Sequence, residues 1–249
     1  MSKEINFDIV LAEATKLPIV RIDREEFLRT SLSKYFDADT VNTAISKSPA
    51  YARIRVNEIA KIAKSCIDHE TTKVTLLSAA AGVPGGLAMI GTVPADLVQY
   101  FAHVIRILQK LIYLYGWQKL FDENGQMDDE TKNLLTLFVG IMFGVNSAVG
   151  AIAKISDTVA KNIAKNLAKQ PLTKGFLYPI VKQVAKYIGV QMTKEIFTKG
   201  VAKIVPLIGG LVSGTLTYAT YKPMAIRLQK HLSEMNIADP DFYTTAKDF

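Results

Sequence analysis

Cysteine is almost missing: the chain has 249 residues and a single Cys66. A lone thiol excludes an internal disulfide, removes every cysteine-based metal site and agrees with a reducing compartment. Histidine is nearly as scarce, with three in the chain. Cys66, Asp68, His69 and Glu70 lie close in sequence, but neighbours on a helix point in different directions, and no second histidine completes a ligand set. The acidic cluster Asp122, Glu123, Asp128, Asp129 and Glu130 does not follow the spacing of a calcium loop. No glycine-rich phosphate loop follows a strand and no nucleophile elbow is present, so neither metal nor cofactor is expected. A Ser/Pro/Gly-rich linker is also lacking, which makes one domain the simplest organisation.

Acidic residues are scarce in one region in particular. Residues 154–230 hold 13 basic and two acidic side chains, against nine of each in residues 1–60. The formal net charge of +7 is therefore concentrated in the second half of the chain. A basic block in an apolar chain points to a polyanion. Few aromatics are interleaved with it for stacking bases, which favours an anionic membrane surface or lipid over nucleic acid. The N-terminus carries acidic residues and no apolar core of signal-peptide length. The expected location is the cytoplasmic side of the membrane, peripheral or partly inserted.

What the chain does have is apolar surface, 49% of its residues, with a mean hydropathy of +0.17. Its periodicity is that of helices. Residues 4–16, 24–35 and the DTVNTAIS segment capped by Asp39 read as short helices. Residues 50–72 read as a longer one, with Ile54, Ile59, Ile62 and Ile67 as its apolar stripe. Val74–Ala95 is 22 residues without a charge. It is interrupted by Pro84-Gly85-Gly86, so it reads as a short small-residue helix followed by a turn. Thr92 to Asp96 then opens a helix that stops at Gly116. Its Asp96, His103, Arg106 and Lys110 suit a bundle helix with one wet edge better than a membrane span.

Asn133–Ala153 is 21 uncharged residues and is the best membrane-spanning candidate. Lys154–Lys169 continues it as a basic amphipathic helix, with Lys154, Lys161, Lys165 and Lys169 opposite Ile155, Val159, Ile163 and Leu167. Residues 173–203 hold one or two further helices. Ile204–Tyr221 is another uncharged run, continued as an amphipathic helix with a kink expected at Pro223. Each of the three apolar runs contains glycines four apart: Gly82 and Gly86, Gly140 and Gly144, Gly210 and Gly214. Such pairs leave a flat strip where two helix backbones approach closely.

The fold class expected is all-α, a single multi-helix bundle with glycine-rich apolar central helices. It divides into amphipathic N-terminal helices (1–72), an apolar glycine-rich core (73–232) and a loose acidic tail (233–249). Catalytic constellations are thin. Asp96 and His103 share a helix face and are the weak candidates for proton transfer.

The segment AAAGVPGGLAMIGTVPADLVQYFAHVIRILQKLIYLYGW resembles the EcsC family of bacterial proteins, as does the later KIVPLIGGLVSGTLTYATYKPMAIRLQKHL. The matching positions are Gly85, Gly86, Pro94, Asp96 and Gly116, then Pro206, Gly209, Gly210 and Gly214. The resemblance covers about a third of the chain. It implies an all-helical, membrane-associated protein, and it carries over no catalytic residue. Three readings follow from the sequence. The preferred one is a protein that binds or partly inserts into anionic membrane, with pore formation as its bolder form. The alternative is a binding module holding a lipid, another apolar ligand, a membrane-protein partner or a second copy of itself. An enzyme using Asp96 and His103 comes last.

Overall fold

A computed structural model describes residues 6–81, 89–90, 93–121, 127–167, 174–193 and 209–245. Apart from a two-rung antiparallel pair, Met89–Ile90 with Val93–Pro94, its regular structure is helical, as expected. The helices are α1 (Phe7–Thr15), α2 (Arg24–Leu32), α3 (Ala38–Ser46), α4 (Val56–Ala81), α5 (Ala95–Leu114), α6 (Asp129–Met142), α7 (Asn146–Ala164), α8 (Lys174–Thr193), α9 (Gly209–Ser233) and the short α10 (Phe242–Thr245). Two 3-10 turns, Pro18–Val20 and Asn236–Ala238, join them.

Short polar side chains set the helix starts. Asn6, Asp23, Asp37 and Asp128 each accept a bond from a backbone N–H of the first turn. Asp37, not Asp39, is therefore the cap of α3; Asp39 sits inside the first turn, where its charge still faces the positive helix end. Gly116 ends the α5 segment as expected. Its φ is +94°, and Trp117 N–H reaches back to Ile112 while Gly116 N–H bonds Tyr113. That is a Schellman closure, which needs a left-handed residue.

The bundle is built around α5. Val98, Phe101, Ile105, Leu108, Leu111 and Ile112 are completely buried. α5 touches α1, α2, α4, α6, α9 and the first 3-10 turn. A helix enclosed on so many sides must satisfy its polar groups internally. Gln109 does so by donating to Val20 O at 2.6 Å. α4 and α9 pack along their length in antiparallel sense, with Gln229 bonded to Ala60 and Lys222 paired with Asp68.

Three segmentations differ from the sequence reading. α4 runs without a break through residue 72 to Ala81, so the long helix and the small-residue helix after it are one element of 26 residues. The boundary at 72/73 has no counterpart in the structure. Asn133–Ala153 is divided between α6 and α7, because Gly144 takes φ +82° and Val145 N–H bonds back to Gly140 O. Among the described residues, no helix is long and apolar enough to cross a membrane. The tail from 233 is not loose as far as Thr245. Ile237 and Tyr243 are buried, Tyr243 bonds Ile237 O at 3.1 Å, and Arg53 donates to Pro240 O at 3.0 Å.

Candidate functional site

Two polar features stand out, one inside the bundle and one on its surface. The inner one is on α4 and α5. Glu70 is 1% exposed and accepts from Arg106 Nε at 3.3 Å and from the Lys110 ammonium. Arg106 also donates to Ile19 O at 2.8 Å, and Lys110 lies 5.5 Å from the Phe27 ring centroid. Burial alone would raise the Glu70 carboxyl. The Lys110 hydrogen bond and the charges of Lys110 and Arg106 outweigh it and hold the group below its ordinary value. The cluster is thus a three-way brace between α4, α5 and the first 3-10 turn.

His103 lies close to this brace, 2% exposed, with no hydrogen-bond partner at either ring nitrogen among the described residues. Burial lowers its pKa, so the ring stays neutral at pH 7. Its backbone carbonyl accepts from the Tyr221 hydroxyl of α9 at 3.2 Å. Asp96 is in the first turn of α5, seven residues away, or about 10 Å along the helix; its side chain lies outside the described residues. A general base has to reach its substrate's proton, and a ring this deeply buried gives a substrate no access. Burial pushes the Cys66 thiol up to about 11, which disfavours its thiolate. No group of three or more metal-ligating side chains occurs among the described residues.

The outer feature is the lysine edge of α7. Lys154, Thr158, Lys161 and Lys165 recur at intervals of four, three and four, and all are exposed. This spacing places them along one side of the helix. Ala148, Ala151, Ile152, Ile155 and Ala160 face the core. The helix has a single acidic residue, Asp157, which accepts from Asn236 Nδ2 at 2.9 Å. Lys161 and Lys165 form no salt bridge among the described residues. Of the apolar arc expected here, Ile155 is buried and Val159 and Ile163 are half-buried. Leu167 is past the helix end and 51% exposed. Lys169 lies outside the described residues. α8, which has no acidic residue, adds exposed Lys182 and Lys186 together with Tyr178 and Tyr187.

The glycine pairs divide. A Cβ at Gly140 would sit 2.5 Å from Val184 Cγ1 and 3.0 Å from Ala148 Cβ, so the close approach of α6 to α8 and α7 requires glycine. Gly144 is not on the same helical strip; it terminates α6, beside the Arg227 guanidinium that donates to Met142 O. The Gly140/Gly144 pair is therefore one packing residue and one cap. Gly82, Gly85, Gly86 and Pro206 lie outside the described residues. Gly209, Gly210 and Gly214 belong to the first turns of α9, and Pro94 immediately precedes α5.

No protein-family model, curated protein or solved structure matches this chain. The geometry above is therefore what bears on function. The sequence placed Glu70 only beside Cys66, Asp68 and His69 and did not by itself pair it with Arg106 and Lys110. The cue available was Arg106 and Lys110 four apart on a helix whose single carboxylate, Asp96, is more than two turns away from either.

Proposed function

We propose that this chain is an EcsC-type membrane-associated protein that docks on an anionic bilayer through the lysine edge of α7. The carrying observation is the exposed pair Lys161 and Lys165 on that edge, which form no salt bridge among the described residues. The ammonium groups extend from one side of a helix whose other side is anchored in the core. Each lysine near such a surface is worth about 1 kcal/mol. Lys182 and Lys186 of α8 add to the same balance of charge.

The mode of attachment is peripheral on the cytoplasmic side. The apolar surfaces of α5 and α6 are consumed by the bundle, so deeper insertion or pore formation would require these helices to separate. Flotation with liposomes tests the reading. Binding should appear with phosphatidylglycerol vesicles, fall with salt and disappear in Lys161→Glu/Lys165→Glu. Equal flotation with purely zwitterionic vesicles would sink it. Dye release from the same vesicles separates pore formation from surface docking.

A further inference from the structure

We infer that the seam between α4 and α9 is a binding slot for a single-chain anionic amphiphile, a molecule with one alkyl chain and one acidic headgroup. The two antiparallel helices leave a groove of about 450 Å³ between them. Its apolar lining comes from Ala60, Ile67 and Ile226. Ile67 is 1% exposed and forms the floor, whereas Ile226 is 48% exposed on the bank. Covering that side chain is a gain available to a ligand and left unused by the fold.

The polar groups around the slot are unequally occupied. At one end Lys222 Nζ is held by Asp68 Oδ1 at 2.7 Å, so that charge is matched. At the other, the Gln229 amide donates to Ala60 O at 3.2 Å. Lys61 and Lys64 are one turn apart on the α4 bank; both are exposed and neither has a salt bridge among the described residues. Their aliphatic stems extend the apolar wall and their ammonium groups supply an anion site over it. A headgroup therefore belongs at Lys61 and Lys64, with the chain running along Ile67 and Ile226 toward Lys222.

Size separates this occupant from others. The volume falls in the range of about 300–1,000 Å³ typical of small-ligand pockets. The stretch from Ala60 to Asp68 rises only about 12 Å, too little for the roughly 800 Å² that a protein partner would bury on each side. A flat bilayer surface meets exposed residues, whereas Ile67 is recessed.

The test is titration of the full chain, without vesicles or detergent, with a fluorescent polyene fatty acid, followed by displacement with laurate, dodecyl phosphate and dodecanol. Saturable binding is expected, with dodecanol at least about tenfold weaker than the better of the two anions. Laurate against dodecyl phosphate identifies which headgroup the lysines prefer. Lys61→Glu/Lys64→Glu and, separately, Ile226→Asp should each weaken binding by at least about tenfold with the helical signal unchanged. Lys161→Glu/Lys165→Glu should leave it intact, so the slot and the α7 surface succeed or fail separately. Absence of saturable binding, equal affinity for dodecanol, or unchanged affinity in both slot variants would overturn the inference.

Discussion

α5 and α7 each carry cations on one side, and the bundle treats them in opposite ways. On α5, Arg106 and Lys110 are turned inward and matched by the buried carboxylate of Glu70. On α7, Lys161 and Lys165 are left in solvent without a carboxylate among the described residues. A charge that a fold has to bury is compensated, because an unpaired buried ion is costly. A charge that it leaves exposed and unmatched costs little and stays available to an external anion. The difference separates cations that hold the bundle together from cations free to act outside it.

The comparison breaks most clearly at Glu70. Replacing Glu70 with Gln leaves two partly buried cations without their counter-charge, for a loss of roughly 3–5 kcal/mol. In a domain of this size that lowers Tm by roughly 10 °C, readable by calorimetry. Replacing Glu70, Arg106 and Lys110 together with Met should cost less than Glu70→Gln alone; an equal or larger loss would mean that the brace contributes more than mutual neutralisation. Next in size is Lys161→Glu/Lys165→Glu, expected to move Tm hardly at all while removing at least about 2 kcal/mol of vesicle affinity. A large Tm change would place these lysines with the structural group instead. Gly140→Ala follows, at about 1–2 kcal/mol of destabilisation in urea unfolding, because the new methyl meets Val184.

The smallest effect is expected from acid. His103 titrates below its ordinary 6.5 when folded, so the unfolded chain takes up the proton first. Stability should be complete above about pH 6.5 and should decline as pH falls below it. Glu70, also lowered from its ordinary 4.5, acts with the same sign in a more acid window. His103→Leu should flatten the Tm profile between pH 7 and 5, and a profile that keeps its slope would assign the decline to other groups.

Local chemistry was the legible part. The stop at Gly116 and the burial of Ile59, Ile62 and Ile67 on α4 each depend on a few residues that determine their own backbone or burial, whereas Ile54, read into the same helix, lies before its start at Val56. Misreadings arose where two local signals competed. Asp37 and Asp39 both suit a cap, and only the backbone shows that Asp37 takes the role. Gly140 and Gly144 look equivalent in sequence. One allows helices to touch and the other stops a helix, a distinction made by Val184 and by φ.

The sequence by itself determined an all-helical chain, the helix stop at Gly116, and a lysine-rich second half without disulfides. These follow from propensity, capping and charge, which act over a turn or two of chain. Tertiary structure alone decided that Glu70 meets Arg106 and Lys110 from another helix, and that an open groove runs along the seam of α4 and α9. It also decided that the apolar run after Asn133 bends at Gly144 into two bundle helices. Such contacts join residues far apart in sequence, and their energy exists only once the core has brought those helices together.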